Sequence, residues 1–340
     1  MLLCPMKIFI KKTLIFFIPV FLPVLYYLIQ LTTREGSGDI GTMAKLFFEK
    51  GYHNNLEINP DTLLVQNVEI QDVPDSTTIL CFGDSFSQQK PFSYLQPLSE
   101  HYNKPIINVL YNIDYSPEEA ATGFLVNAPK SQKPQIIIVE SVERSCPVRL
   151  SKLDTTRNYP LEQLSQGKKQ TTNTPLQSID KEIILFYKLR LGWNNKTVFS
   201  KLNKPCFTSK GNEDELYSYY EDTNHYNDYN IECAANKLCQ LYELAESRNV
   251  KLIYVIAPNK SSLYAPYTDN KNRYFTIENN PAFDTLAFYF NPIKWLRELD
   301  KKGEKDIYFC DDTHWTSKTA KVVGDNLTKM IIDKYGNLVN

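Results

Sequence analysis

The chain has 340 residues, 42% hydrophobic and 13% aromatic, enough to bury one sizeable core or one core with an excursion. Its formal charge of -1 divides unevenly: residues 1–34 hold Lys7, Lys11, Lys12 and Arg34 and no acid, which leaves 34 basic against 39 acidic side chains beyond them. A domain with that acidic balance lacks the clustered basic surface nucleic acid demands, so DNA and RNA are excluded as partners.

Residues 13–31 (TLIFFIPVFLPVLYYLIQL) carry no charge. A helix of that length, at about 1.5 Å per residue, spans roughly 28 Å, close to the hydrocarbon thickness of a bilayer. Pro19 and Pro23 are better tolerated in a membrane helix than in a soluble one. The lysines that precede the stretch place the N-terminus in the cytoplasm and the rest of the chain outside. No small-x-small cleavage site follows, so a retained single-pass anchor is expected rather than a cleaved signal peptide. The expected organisation is an anchor over 1–34, a membrane-proximal linker over 35–76, and a catalytic domain over 77–340 with an insertion at about 151–228.

Strand-like runs follow at 78–82, 105–110, 135–139, 251–256 and 306–310, with helical patterns between them. Phe92, Leu95, Leu98 and Tyr102 recur at helical spacing behind Pro91, which suits a first turn. Ile231, Ala234, Ala235, Leu238, Leu241, Tyr242 and Ala245 form one amphipathic face. Ala320, Val323, Leu327, Met330 and Ile331 form another, within a closing helix over 317–334 whose cap region includes Ser317. Apolar strands alternating with helices predict an α/β fold, a parallel sheet covered on both faces, with ligands at the carboxyl ends of its strands. Residues 151–228, rich in Asn, Gln, Lys, Thr and Ser, break the rhythm and read as a solvated elaboration, with a wall of a substrate cleft as the other reading.

The seven cysteines show no metal spacing. Cys81 and Cys310 read as small core residues, and Cys146, Cys206, Cys233 and Cys239 as disulfide candidates in an oxidising compartment. No metal site, P-loop or dinucleotide-binding glycine pattern occurs, so no cofactor is expected.

Two short passages carry chemistry. Gly83-Asp84-Ser85-Phe86-Ser87 follows the first apolar run, and Asp311-Asp312-Thr313-His314-Trp315 follows the last. A serine is a poor nucleophile until a base takes its proton, and the base needs a carboxylate to fix its tautomer. Ser85 and His314 each follow a predicted strand, so both are expected at one edge of the sheet. Asp312, at Asp-x-His spacing, is preferred as the orienting acid. Asp311, at Asp-x-x-His spacing, is also workable, and the sequence does not separate the two. Backbone N–H groups at the start of a helix after Ser85 are expected to face a developing oxyanion. Trp315 reads as packing beneath His314, and His53, His101 and His225 as surface or structural residues.

On these residues the chain resembles the SGNH/GDSL hydrolase superfamily, whose members pair a G-D-S block with a late D-x-x-H or D-x-H block on a flavodoxin-like fold. The wording is similar above all to the SGNH-like domains of alginate and other envelope polysaccharide O-acetyltransferases. The matching passages are Gly83 to Ser87, Glu140 to Arg144, Ala257 to Tyr264 and Asp312 to Trp315. The D-x-H-W block, which precedes the serine block in the alginate proteins, follows it here. The usual oxyanion-hole glycine and G-x-N-D asparagine are not apparent. Asn112 or Arg144 are candidate substitutes as donors, and Lys260 and Tyr264 are candidates to line the cleft. For Arg144 an ion pair with Glu140 or Glu143 is the alternative, and for Lys260 and Tyr264 a role as loop anchors.

The resemblance implies an O-acyltransferase, O-acetyl by expectation, that modifies an envelope or secreted glycan through an acyl-serine. A membrane-bound O-acyltransferase partner would supply the acyl group. The expected location is the cytoplasmic membrane, with the catalytic domain outside. An esterase that gives the same acyl group to water, and a non-catalytic glycan-binding component on the same fold, are the alternatives.

Overall fold

The computed structural model describes residues 64–89, 92–129, 131–165, 197–310 and 312–336, together with Thr13, Phe17 and Phe21. The chain divides into two compact units, Met1–Gly38 and Asp39–Asn340. The anchor expected over 13–31 lies, apart from those three positions, outside the described residues. Among the described residues no helix is long and apolar enough to cross a membrane.

Six strands form one parallel sheet: β1 (Val65–Glu69), β2 (Ile79–Phe82), β3 (Ile106–Leu110), β4 (Ile136–Val142), β7 (Lys251–Ala257) and β8 (Tyr289–Phe290), in the order β1-β3-β2-β4-β7-β8. Between β4 and β7 the chain makes a separate antiparallel hairpin, β5 (Thr197–Lys201) and β6 (Glu215–Tyr219). The helices are α1 (Gln96–Tyr102), α2 (Pro117–Asn127), α3 (Cys146–Lys152), α4 (Leu161–Leu164), α5 (Asp228–Ser247), α6 (Lys260–Tyr264), α7 (Pro281–Asp284), α8 (Ile293–Lys301) and α9 (Ser317–Tyr335).

The period of two along each strand divides the core. Ile79, Cys81, Ile136, Ile138, Ile253 and Val255 face α1, α8 and α9, packing with Leu98, Leu296, Val323 and Leu327. Leu80, Phe82, Ile137, Val139, Leu252 and Tyr254 face the other way, against Phe124 of α2, Leu150 of α3 and Leu238 and Leu241 of α5. With both faces covered, the central strands are largely apolar, as a buried parallel sheet requires, with Asn108 in β3 and Glu140 and Ser141 in β4 as buried polar exceptions. Apart from β1 at its edge, the strand order is doubly wound. It reverses between β2 and β4, where such sheets open a crevice at the carboxyl ends.

Five expectations need correction. The sheet reaches back to β1, inside the stretch read as a linker, where Val65 to Glu69 pair with Ile106 to Leu110. The helix behind Pro91 begins only at Gln96, so residues 85–88 are a turn and no helix start follows Ser85 directly. Residues 306–310 are not a strand of the sheet. None of them pairs with a strand of the sheet: the Phe309 N–H donates to the His314 carbonyl (3.0 Å), the Thr316 N–H to the Ile307 carbonyl (3.1 Å) and the Asp306 N–H to the Cys206 carbonyl (3.0 Å). The described part of the excursion is also not merely solvated, because Val198, Leu202, Phe207 and Leu216 are buried in the cluster that holds Trp315. The six described cysteines, Cys146, Cys206, Cys233 and Cys239 among them, are all free thiols.

Candidate active site

The Ser85 turn grows out of β2. Gly83 lets the chain pass beneath neighbouring side chains: a Cβ there would lie 2.6 Å from Ser87 Oγ and 2.8 Å from Glu140 Oε2. The Asp84 carbonyl closes the turn by accepting from the Ser87 N–H (3.1 Å) and the Ser87 hydroxyl (2.8 Å). Ser85 sits at the exposed apex. Its backbone N–H, and that of Phe86, meet no acceptor among the described residues, which leaves two donors for an incoming oxyanion.

The second half of the site rides on the loop from Ile307 to Thr316. An isolated bridge joins Tyr308 to Trp315, and the Tyr308 hydroxyl donates to the Pro258 carbonyl (2.7 Å), just past β7. That tie brings the loop to the carboxyl ends of the strands, the rim that β2 delivers Ser85 to.

At this rim His314 Nε2 lies 2.6 Å from Ser85 Oγ, and His314 Nδ1 lies 2.5 Å from Asp312 Oδ1. The same carboxylate oxygen accepts the His314 backbone N–H at 2.9 Å, so the Asp-x-His spacing folds into one tight turn. With its Nδ1 proton directed at the carboxylate, the imidazole offers Nε2 as acceptor for the serine proton. Phe86 packs against both the His314 ring (centroids 4.7 Å apart) and the Trp315 ring (4.5 Å). Trp315 is fully buried, and its carbonyl accepts from Gln89 Nε2 at 2.6 Å. Neighbours of the serine and of the histidine therefore hold each other in register.

Asp84 is the most heavily bonded residue of the turn. Its carboxylate accepts two bonds from Arg149 of α3 (2.5 and 3.0 Å) and one from the Val142 N–H at the end of β4 (3.0 Å). The Asp84 N–H donates to Glu140 Oε2 at 2.8 Å. Glu140 is completely buried in β4. Burial, and then the Asp84 charge, push its carboxyl well above the usual range, against the opposing pull of Arg149. The sequence offered one signal for this group, an acid inside the apolar run of β4. Arg149 carried no local signal, since it lies 65 residues from Asp84.

The candidate donors Asn112 and Arg144 and the candidate cleft residues Lys260 and Tyr264 each have partners in the structure. Lys260 is buried, with its ammonium donating to the carbonyls of Phe309 (3.2 Å), Cys310 (3.0 Å) and Asp312 (2.9 Å), so it anchors the histidine loop from beneath rather than lining a cleft. Arg144 turns toward the excursion. It lies over the Tyr219 ring at 4.4 Å and 3.8 Å from Asp222, not paired with Glu140 or Glu143. Glu143 instead accepts from the N–H groups of Asn259 (2.8 Å) and Ile277 (2.6 Å) and from the hydroxyls of Ser262 and Thr276. Asn112 caps its own loop, its Oδ1 accepting the Asp114 N–H at 3.1 Å. Tyr264 is buried against Phe207 and Tyr308. Asp311 and His53 lie outside the described residues.

Among the described residues no group of His, Cys, Asp or Glu is placed to hold a metal ion. A pocket of about 800 Å³ opens along the β8 edge, lined by residues including Tyr289, Phe290, Trp295 and Lys329, and it includes none of the three rim residues. No family model matches the chain, and comparison with curated proteins and with solved structures found no match.

Proposed function

We propose that this chain is an extracytoplasmic, membrane-anchored O-acyltransferase of SGNH type on a flavodoxin-like fold, acting on an envelope or secreted glycan. The observation that carries the reading is the continuous relay Asp312–His314–Ser85 at the crevice where the strand order reverses. Ser85 Oγ attacks the acyl carbonyl of the donor while His314 Nε2 takes the hydroxyl proton. The Ser85 and Phe86 N–H groups face the resulting oxyanion. Its collapse expels the donor's leaving group, which takes the proton from His314, and leaves an acyl-serine. A glycan hydroxyl, deprotonated by His314, then attacks the acyl-serine, and the intermediate collapses with Ser85 Oγ leaving and taking that proton back from His314, so that the glycan keeps the acyl group. The donor lies outside the cytoplasm in this scheme, so a membrane-bound O-acyltransferase is the partner that would deliver it, with residues 13–31 holding the two together.

Hydrolysis is the second reading, favoured by the exposure of Ser85, which water can reach without hindrance. Incubation with an acetyl ester, with and without an oligosaccharide acceptor, separates the two. Transfer predicts acetylated oligosaccharide at the expense of free acetate. Acetate release that no acceptor diverts would leave an esterase.

A further inference from the structure

Asp84 has every polar group engaged, and this decides where its neighbour Ser85 points. Its N–H is held by Glu140, its carbonyl by Ser87, and its two carboxylate oxygens by Arg149 and the Val142 N–H. Three of these partners lie in the turn itself or in the adjoining β4. Arg149 alone comes from a helix, α3, and its NH1 also donates to Ser141 Oγ of β4 (3.1 Å). One planar guanidinium thus ties the nucleophile turn, the central strand and α3 together, with the two-pronged geometry that a lysine cannot reproduce.

We propose that Arg149 is a positioning residue for Ser85: by gripping Asp84 it fixes the turn that aims the serine hydroxyl at His314. The proposal rests on the reading of Ser85 as the nucleophile. The groups that face this guanidinium are acidic or neutral: Asp84 in contact, with Glu118 of α2 and Tyr111 acting on it through space. Without Arg149, the Asp84 carboxylate would keep only the Val142 N–H of these partners and would have no cation to offset its charge. The cheapest relief is rotation of the turn away from β4, and that rotation carries Ser85 off the imidazole.

The test is the rate at which a fluorophosphonate labels Ser85. In that reaction the serine oxygen bonds to phosphorus, fluoride leaves, and the proton passes to His314. Arg149→Met, folded by near-ultraviolet circular dichroism, is expected to label about 10- to 100-fold more slowly than the wild type, the size of loss that a shift of about 1 Å in a reacting group produces. Arg149→Lys should fall between them. With an acetyl ester the loss should appear in kcat and not in KM. A merely structural ion pair would lower Tm and leave the labelling rate of the folded protein unchanged, and that result overturns the proposal. If Arg149→Met does not fold, Arg149→Lys decides alone: a slowed rate sustains the proposal and a wild-type rate overturns it. A wild type that takes no label at Ser85 is a different result, and it removes the nucleophile reading beneath the proposal.

Discussion

The ammonium of buried Lys260 lies 2.9 Å from the backbone carbonyl of Asp312, the residue that orients His314. A cation placed beneath the loop thus gathers the carbonyls of Phe309, Cys310 and Asp312. Replacing Lys260 with Met would remove a charged donor from each of those carbonyls. The expected cost is roughly 2–4 kcal/mol, and thermal unfolding of Lys260→Met against the wild type measures it. The same variant should lose activity below its Tm, because the loop bearing Asp312 and His314 loses its tether. Unchanged stability would show that the carbonyls find other donors.

The orienting acid is tested by single amides. Asp312→Asn keeps the shape of the turn but presents the wrong partner to Nδ1, and kcat on an acetyl ester is expected to fall by about 10³- to 10⁴-fold. A rate retained in Asp312→Asn and lost in Asp311→Asn would transfer the role to Asp311.

Gly83→Ala inserts a methyl group 2.6 Å from Ser87 Oγ and 2.8 Å from Glu140 Oε2. Neither neighbour can retreat without breaking the bond it makes to Asp84. The variant is expected to lose about 1–3 kcal/mol, read by denaturant titration, and to label slowly at Ser85. Wild-type labelling in a folded Gly83→Ala would mean that the turn tolerates the displacement.

Asp222 gives a pH signature. It is buried within the excursion, accepting a bond from the Ser261 hydroxyl (2.9 Å), and burial pushes its carboxyl from 3.8 to about 6 against the pull of Arg144. Between those values the folded state holds a proton that the unfolded chain has released. The stabilisation is therefore complete below the lower value and gone above the upper, a loss on the order of 3 kcal/mol as pH rises through the window. Asp222→Asn removes the titration while keeping an acceptor for Ser261. Its Tm relative to the wild type should climb between pH 4 and pH 7.5, and a constant offset would contradict the assignment.

The central strands and the three rim residues were legible because their signals are local. β2, β3, β4 and β7 are largely apolar runs, and Asp312 and His314 stand in one short block, whereas Ser85 lies 229 residues from His314 and is expected at the same rim through a strand over 306–310 that the structure replaces with a loop. What escaped was set by distance. β1 is half-exposed at an edge and carries Gln66, Asn67 and Glu69, so its composition does not mark it as sheet. The run Ile307 to Cys310 is apolar because a loop, not a strand, buries it against Leu263 and Trp315. The sequence leaves Lys260 two roles, and only its three carbonyl partners, about fifty residues away, decide for the anchor. The Arg149–Asp84 pair depends on how α3 docks, which no window of sequence contains.

The most direct measurement is mass spectrometry of the Ser85 peptide after brief exposure of the full chain to an acetyl ester. One acetyl group on Ser85 is expected, absent in His314→Ala and discharged when an oligosaccharide acceptor is added. A folded wild-type protein that never carries acetyl on Ser85, while acetate is released or acceptor is modified, would contradict the acyl-serine route.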